Sequence, residues 1–228
     1  SSGFGFHNHW VTLQIGRGIE NWGSGNNIEL AMSENGAPYD YFMLSSNYGK
    51  MRVNYIHGLL ETKDTSLNRY ICARGLEWTN NKSLVISISE LIIYSGINRN
   101  IEIGYLNPIA SHIEVELNER LTIIGSGSAN AVWQLHIDHL LRNRHRISIN
   151  LLFDEFVIDP DVEIGKEHGK AFSAKYVFSE RWSPEYFISF SLYCIYVGTP
   201  TFRHGDGYNN LVNNSTPLGW KFGSDGIE

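Results

Sequence analysis

The sequence predicts an all-β protein, a transmembrane antiparallel up-and-down β-barrel represented by roughly ten strands of a larger barrel. Three observations carry that expectation. Apolar residues recur with a period of two over successive segments, and compact polar turns alternate with longer connections. No run approaches the ~20 apolar residues that a membrane-spanning helix needs.

Composition agrees. The charged fraction of 18% is below the usual quarter, and 22 Gly with 12 Tyr favour strands over helices. A net charge of -6 leaves no basic footprint for nucleic acid. A barrel strand needs only ~9–11 residues and turns every second side chain to lipid, so averaged hydropathy hides it. Cys72 and Cys194 lie in strand-like runs without C-x-x-C spacing and read as small thiols, buried or lipid-facing. Neither an initiator Met nor a signal peptide precedes Ser1, and Glu228 follows no aromatic-terminated strand. Residues 1–228 are therefore expected to form a single β-barrel region of a longer chain.

Residues 41–46 and 51–61 form a hairpin across Asn47-Tyr48-Gly49-Lys50. Residues 69–78 and 84–94 form the next across Thr79-Asn80-Asn81-Lys82-Ser83. The connection 95–131 is long enough to carry structure of its own. Alternation is clearest in 145–154, where Ile147, Ile149, Leu151 and Phe153 share one face, and Arg146, Ser148, Asn150 and Asp154 the other; only Leu152 is out of place. Upstream, Trp133, Leu135 and Ile137 alternate with Gln134, His136 and Asp138, and residues 142–145 allow only a hairpin between the two segments. After a Gly-containing acidic stretch at 157–169, residues 170–178 and 187–197 pair across 180–184. Each turn carries Gly, Asn or Pro, which tolerate turn dihedrals.

A soluble sandwich also alternates. Three features favour the membrane barrel. Its polar face is rich (Arg52, Asn54, His136, Asp138, Arg146, Asn150, Lys175), as a wet lumen requires. Its apolar face stays apolar along Ile188, Phe190, Leu192, Cys194 and Tyr196. Aromatics (Trp10, Trp78, Tyr94, Trp182, Tyr186) gather near strand ends, as in interfacial girdles. Pattern alone leaves both architectures open.

Six segments in order resemble one family. They are Trp10 onward to Trp22-Gly23-Ser24-Gly25; Arg69 to Glu77-Trp78; Glu90 to Tyr94 with Tyr105-Leu106-Asn107-Pro108; Asp154-Glu155-Phe156; Thr199-Pro200-Thr201-Phe202-Arg203-His204; and Pro217-Leu218-Gly219 to Gly223 and Asp225. Together they are similar to the capsule assembly protein (Wzi) family of outer-membrane β-barrels, over nearly the whole chain. Arg74-Gly75 stands where the family has His-Arg, and Phe202 where it has Tyr. The resemblance implies localisation in a bacterial outer membrane, and lipid, surface or capsular polysaccharide and other envelope proteins as partners. Related barrels accompany gliding and export machinery, so a channel or structural subunit is the alternative.

Candidate sites follow from chemistry. Glu77, Glu90, Asp154 and Glu155 invite a glycosidase reading, but Asp154 and Glu155 point to opposite faces of one strand. The expectation is instead a lumen charge cluster in which Arg52, Arg74 and Arg146 neutralise Glu77, Glu90 and Asp154. No nucleophile elbow, phosphate loop or dinucleotide fingerprint is present, so no enzyme, catalytic residue or cofactor is expected. His7/His9 and His136/His139 lack a completing carboxylate or Cys and read as solvated or lumenal, not as metal ligands. Sugar binding calls for aromatic faces beside amides. Tyr208, Asn210 and Trp220 in a Gly/Asn-rich loop, and Tyr94, Asn98 and Asn107 around the long connection, fit that description.

Overall fold

The computed structural model describes residues 2–62, 66–112, 129–154, 168–224 and 226–227. Glu155 and most of the acidic 157–169 stretch lie outside the described residues. Ten long strands follow one another: β1 Ser2–His7, β2 Val11–Gly18, β3 Tyr39–Tyr48, β4 Met51–Leu60, β5 Leu67–Thr79, β6 Leu84–Ile97, β7 Ala129–Leu141, β8 His145–Asp154, β9 Gly169–Arg181 and β10 Phe187–Val197. Each pairs antiparallel with the next, and a short β13 (Gly226–Ile227) joins β10, giving one sheet in sequence order. Val212–Asn213 (β11) and Thr216–Pro217 (β12) form a separate small ladder, and Ile103–Leu106 (α1) is a single helical turn. None of the described helices is long and apolar enough to cross a membrane.

The expected hairpins are present, with β3, β5 and β9 longer at both ends and β8 and β10 matching the expected bounds, and β1 adds a strand that the pattern did not mark. Local chemistry makes the turns tight. Gly49 (φ +76°) closes the β3–β4 turn, and Arg142 and Asn143, both with positive φ, close β7–β8. In the β5–β6 turn Asn80 Oδ1 accepts from the amides of Lys82, Ser83 and Leu84. These turns define one end of the sheet, the turn end. Residues 19–38, and the segment that begins at Asn98, leave from the opposite, loop end.

Register fixes which side chains share a face. One face carries Arg52, Asn54, His136, Asp138, Arg146, Asn150 and Lys175, the polar set read from sequence, together with Glu77. The same face, nearer the loop end, contributes Ile56, Ile71, Ile93, Val132, Leu152, Ala171 and Ile195 to one buried cluster with Ile28, Leu30, Met32, Leu218 and Trp220. Strands lie ~4.8 Å apart, so β3 to β10 laid flat would span about 34 Å. One cluster shared by all eight requires the sheet to curl around it. The curled sheet stays open: among the described residues β1 pairs only with β2.

Segments 19–38 and 199–224 therefore form a plug inside the curl. Asn150, fully buried, bonds Ser24 N at 2.8 Å and Ser24 O at 2.9 Å, while Ser173 Oγ donates to Ile28 O. Ala31 N donates to Gln134, and Trp220 N to Leu30 O. The two plug segments touch so closely at Gly219 that a Cβ there would sit 1.7 Å from Leu30 O.

The outward face carries Phe4, Phe42, Leu76, Ile88, Phe153, Ile188, Phe190 and Leu192, all exposed. Trp78, Trp10, Trp182 and Tyr186 are exposed at the turn end, the position of an interfacial girdle. Tyr94 is not part of it.

Candidate functional site

Residues 98–112 fold back as a strap over the outward face of β4–β7. A second buried cluster (Tyr55, Tyr70, Cys72, Ile92, Tyr94, Tyr105, Ala129, Ala131) lies beneath, on the side opposite the first. Tyr94 is stacked between Tyr70 and Tyr105, with centroids 4.8 and 4.6 Å away, and its hydroxyl meets His57 Nε2 at 2.8 Å. The strap's carbonyls accept from the sheet: Arg99 O from Tyr70, Tyr105 O from Tyr55 and Asn107 O from Arg74. Its outer surface is apolar again, with Ile101, Ile103, Leu106 and Ile109 exposed.

This corrects the expected lumen charge cluster. Arg74 and Glu90 face outward beneath the strap, where Arg74 Nε lies 3.1 Å from Glu90 Oε2 and both side chains are 7% exposed. Glu90 Oε1 accepts from His112 N and Trp133 Nε1. Glu77, Arg146 and Asp154 face inward, but they do not form one cluster. Glu77 pairs with Arg52 at 3.1 Å and Arg146 with Asp138 at 2.9 Å. Asp154, near the loop end, accepts from Phe202 N and so fastens the plug. The charges are thus divided by the sheet and by its length.

The glycan candidates divide in the same way. Trp220 is 3% exposed, packed in the plug with Lys221 Nζ 5.2 Å over its ring. Neither Trp220 nor Tyr94 offers a ring face to a ligand. Asn107 is exposed at the far end of the strap, spending its Oδ1 on Ile109 N. Tyr208, Asn210 and Asn98 all lie at the loop end of the sheet, its rim. Ser95 Oγ donates to Asn209 Oδ1, which seats the 3-10 turn Gly207–Asn209 against the end of β6, from which Asn98 projects. Tyr208 is exposed and Asn210 half-buried.

Sequence reasoning missed what holds this rim. Buried Arg69, on the inward face of β5, donates to four carbonyls: Tyr208 O (2.6 Å), Glu61 O (3.1 Å), Asn210 O (3.3 Å) and Val212 O (2.9 Å). A planar guanidinium with five fixed donors can bridge several carbonyls at once. An arginine at a strand's beginning, on its apolar inward face, was the available signal.

A third place lies inside the curl at the turn end, below the plug. Two adjoining cavities of about 350 and 430 Å³ share Asn21, Gly23, Arg52, Glu77 and His136 in their walls. Gly23, with φ +142°, passes close enough to the sheet that a Cβ would lie 3.2 Å from both Asn150 Oδ1 and Gln134 Nε2.

Neither a family model nor a curated protein matches the chain. Among solved structures it is similar to Wzi of Escherichia coli, described as an outer membrane protein involved in group 1 capsule assembly and as a carbohydrate-binding β-barrel. The TM-score is 0.70 at 12% identity, over 98% of this chain and 50% of that one. The chain has the antiparallel up-and-down fold of that barrel and spans half its length.

Proposed function

We propose that the chain is part of a non-enzymatic bacterial outer-membrane β-barrel that binds or organises surface polysaccharide at its loop-end rim. The observation that carries this reading is the seating of the rim. Arg69 and Ser95 hold 207–212 in place, so that Tyr208 and the amide of Asn210 are presented at a reduced ordering cost on binding, at the same end of the sheet as Asn98. An aromatic face for a sugar ring, beside amides for its hydroxyls, is the chemistry a glycan needs. The fold likeness to a carbohydrate-binding barrel supports the same reading.

In outer-membrane barrels the longer loops lie on the cell-surface side, which gives the rim access to a surface polymer. A channel is the second reading. The plug argues for the binder, because 19–38 and 199–224 pack the interior of the curl with apolar side chains. The two readings separate on the whole protein folded in lipid. The proposal expects retention of purified capsular polysaccharide, weakened by Tyr208→Ala. Single-channel conductance with no retention would overturn it.

A further inference from the structure

We infer that the interior chamber at the turn end is a second ligand site, built for a neutral, hydroxyl-rich saccharide. The inference shares with the proposed function the premise that this barrel handles carbohydrate, but it uses none of the rim residues.

The chamber is a built site. Its walls come from the inward faces of β2–β8 and its roof from residues 20–29, and each cavity lies within the ~300–1,000 Å³ usual for ligand pockets. His136 lines both cavities. It is 7% exposed, yet its Nδ1 has no hydrogen-bond partner among the described residues. Buried polar side chains nearly always have partners, so an unpaired imidazole nitrogen on a residue that lines both cavities marks where a ligand's polar atom belongs.

Charge selects the class of ligand. Both guanidiniums in the walls are already matched, Arg52 to Glu77 and Arg146 to Asp138. Glu20 and Glu29 add two further carboxylates, which accept from Tyr41 and Asn21. The chamber therefore has no excess positive charge with which to hold an acidic sugar. Carboxylates and the amides of Asn21 and Asn54 instead accept from and donate to hydroxyls, and partly buried Trp22 supplies an apolar ring for a sugar's C–H face. Arg52, Glu77, Asp138 and Arg146 stand beside the tight turns. Short turns are periplasmic in such barrels, so the ligand arrives from the side opposite the rim.

The test uses the full chain folded in detergent, titrated by calorimetry and by tryptophan fluorescence with maltotriose and cellotriose, and with trigalacturonate as the acidic probe. A neutral trisaccharide should bind saturably and more tightly than trigalacturonate. Asn54→Ala should weaken it about tenfold, ~1.4 kcal/mol, and Ser87→Phe, which fills the chamber, should abolish it. Leu192→Ala, on the outward face, should leave it unchanged, and heat-dependent gel mobility reports that each variant has folded. Binding that both chamber variants leave intact, tighter binding of trigalacturonate, or no binding of either neutral probe would overturn the inference. Failure of the rim proposal reads out separately, as polysaccharide retention indifferent to Tyr208→Ala.

Discussion

Arg74 and Glu90 form an ion pair on the outward face of the sheet, 3.1 Å apart and closed over by the strap. With that face in a bilayer, as proposed, a bare charge there would meet hydrocarbon, at a cost of several kcal/mol. The strap removes the conflict: Asn107 O accepts a hydrogen bond from Arg74 Nη1, His112 N and Trp133 Nε1 donate to Glu90 Oε1, and isoleucines cover the outside. Sheet and strap are therefore one cooperative unit. Arg74→Ala leaves Glu90 charged and buried, and should cost ~3–5 kcal/mol in urea unfolding from lipid. Arg74→Met with Glu90→Leu should cost clearly less than the sum of the single changes. Additive effects would mean that the pair is not coupled.

Arg69 ties four carbonyls of the rim and its neighbourhood to β5. Hydrogen bonds to charged groups contribute ~1.5–3 kcal/mol each, though several to one residue do not add fully. Arg69→Ala should loosen 203–212 and speed tryptic cleavage after Arg203, while Arg69→Lys, a point charge without the fork, should restore only part of the protection. Mass spectrometry of timed digests checks the site and the rate.

Gly219 and Gly205 offer an internal comparison. A methyl at Gly219 collides with the Leu30 backbone, whereas one at Gly205 meets nothing within 4 Å. Gly219→Ala should destabilise by at least the ~1–3 kcal/mol of an overpacked core. Gly205→Ala should be near neutral. Thermal unfolding of the two variants distinguishes a tightly seated plug from a loose one.

Ile149 sits midway along β8 on the outward face, between inward Ser148 and Asn150. Ile149→Arg should cost ~2–4 kcal/mol if the residue lies at the bilayer midplane. Equilibrium folding into vesicles measures the loss.

Much of the architecture was legible because strand periodicity is local. The face shared by Ile147, Ile149, Leu151 and Phe153, and the opposed polar set from Arg52 to Lys175, follow from alternation alone. Parity could also have separated Arg74 from Glu77: three residues apart on one strand, they must point to opposite faces. Pairing charges by sign obscured that. Other features were not local. Tyr94 and Trp220 look like sugar platforms until the strap and plug, which approach from distant sequence, cover them. The segments that carry the family resemblance prove to be fasteners in several places: Ser24 on Asn150, Asn107 on Arg74, Phe202 on Asp154 and Gly219 on Leu30. Their meaning depends on a partner that no single segment contains.

The central claim is that the outward face of this sheet meets lipid. Cys194, free and exposed on that face of β10 between Leu192 and Tyr196, gives a native reporter, while Cys72 is buried under the strap and can be replaced by Ala. A nitroxide attached to Cys194 of the unfolded Cys72→Ala protein, followed by folding into lipid vesicles, reports its surroundings by collision with oxygen or with an aqueous nickel chelate. A membrane barrel predicts frequent collision with oxygen and little with the chelate. Dominant collision with the chelate in the folded protein would contradict the account.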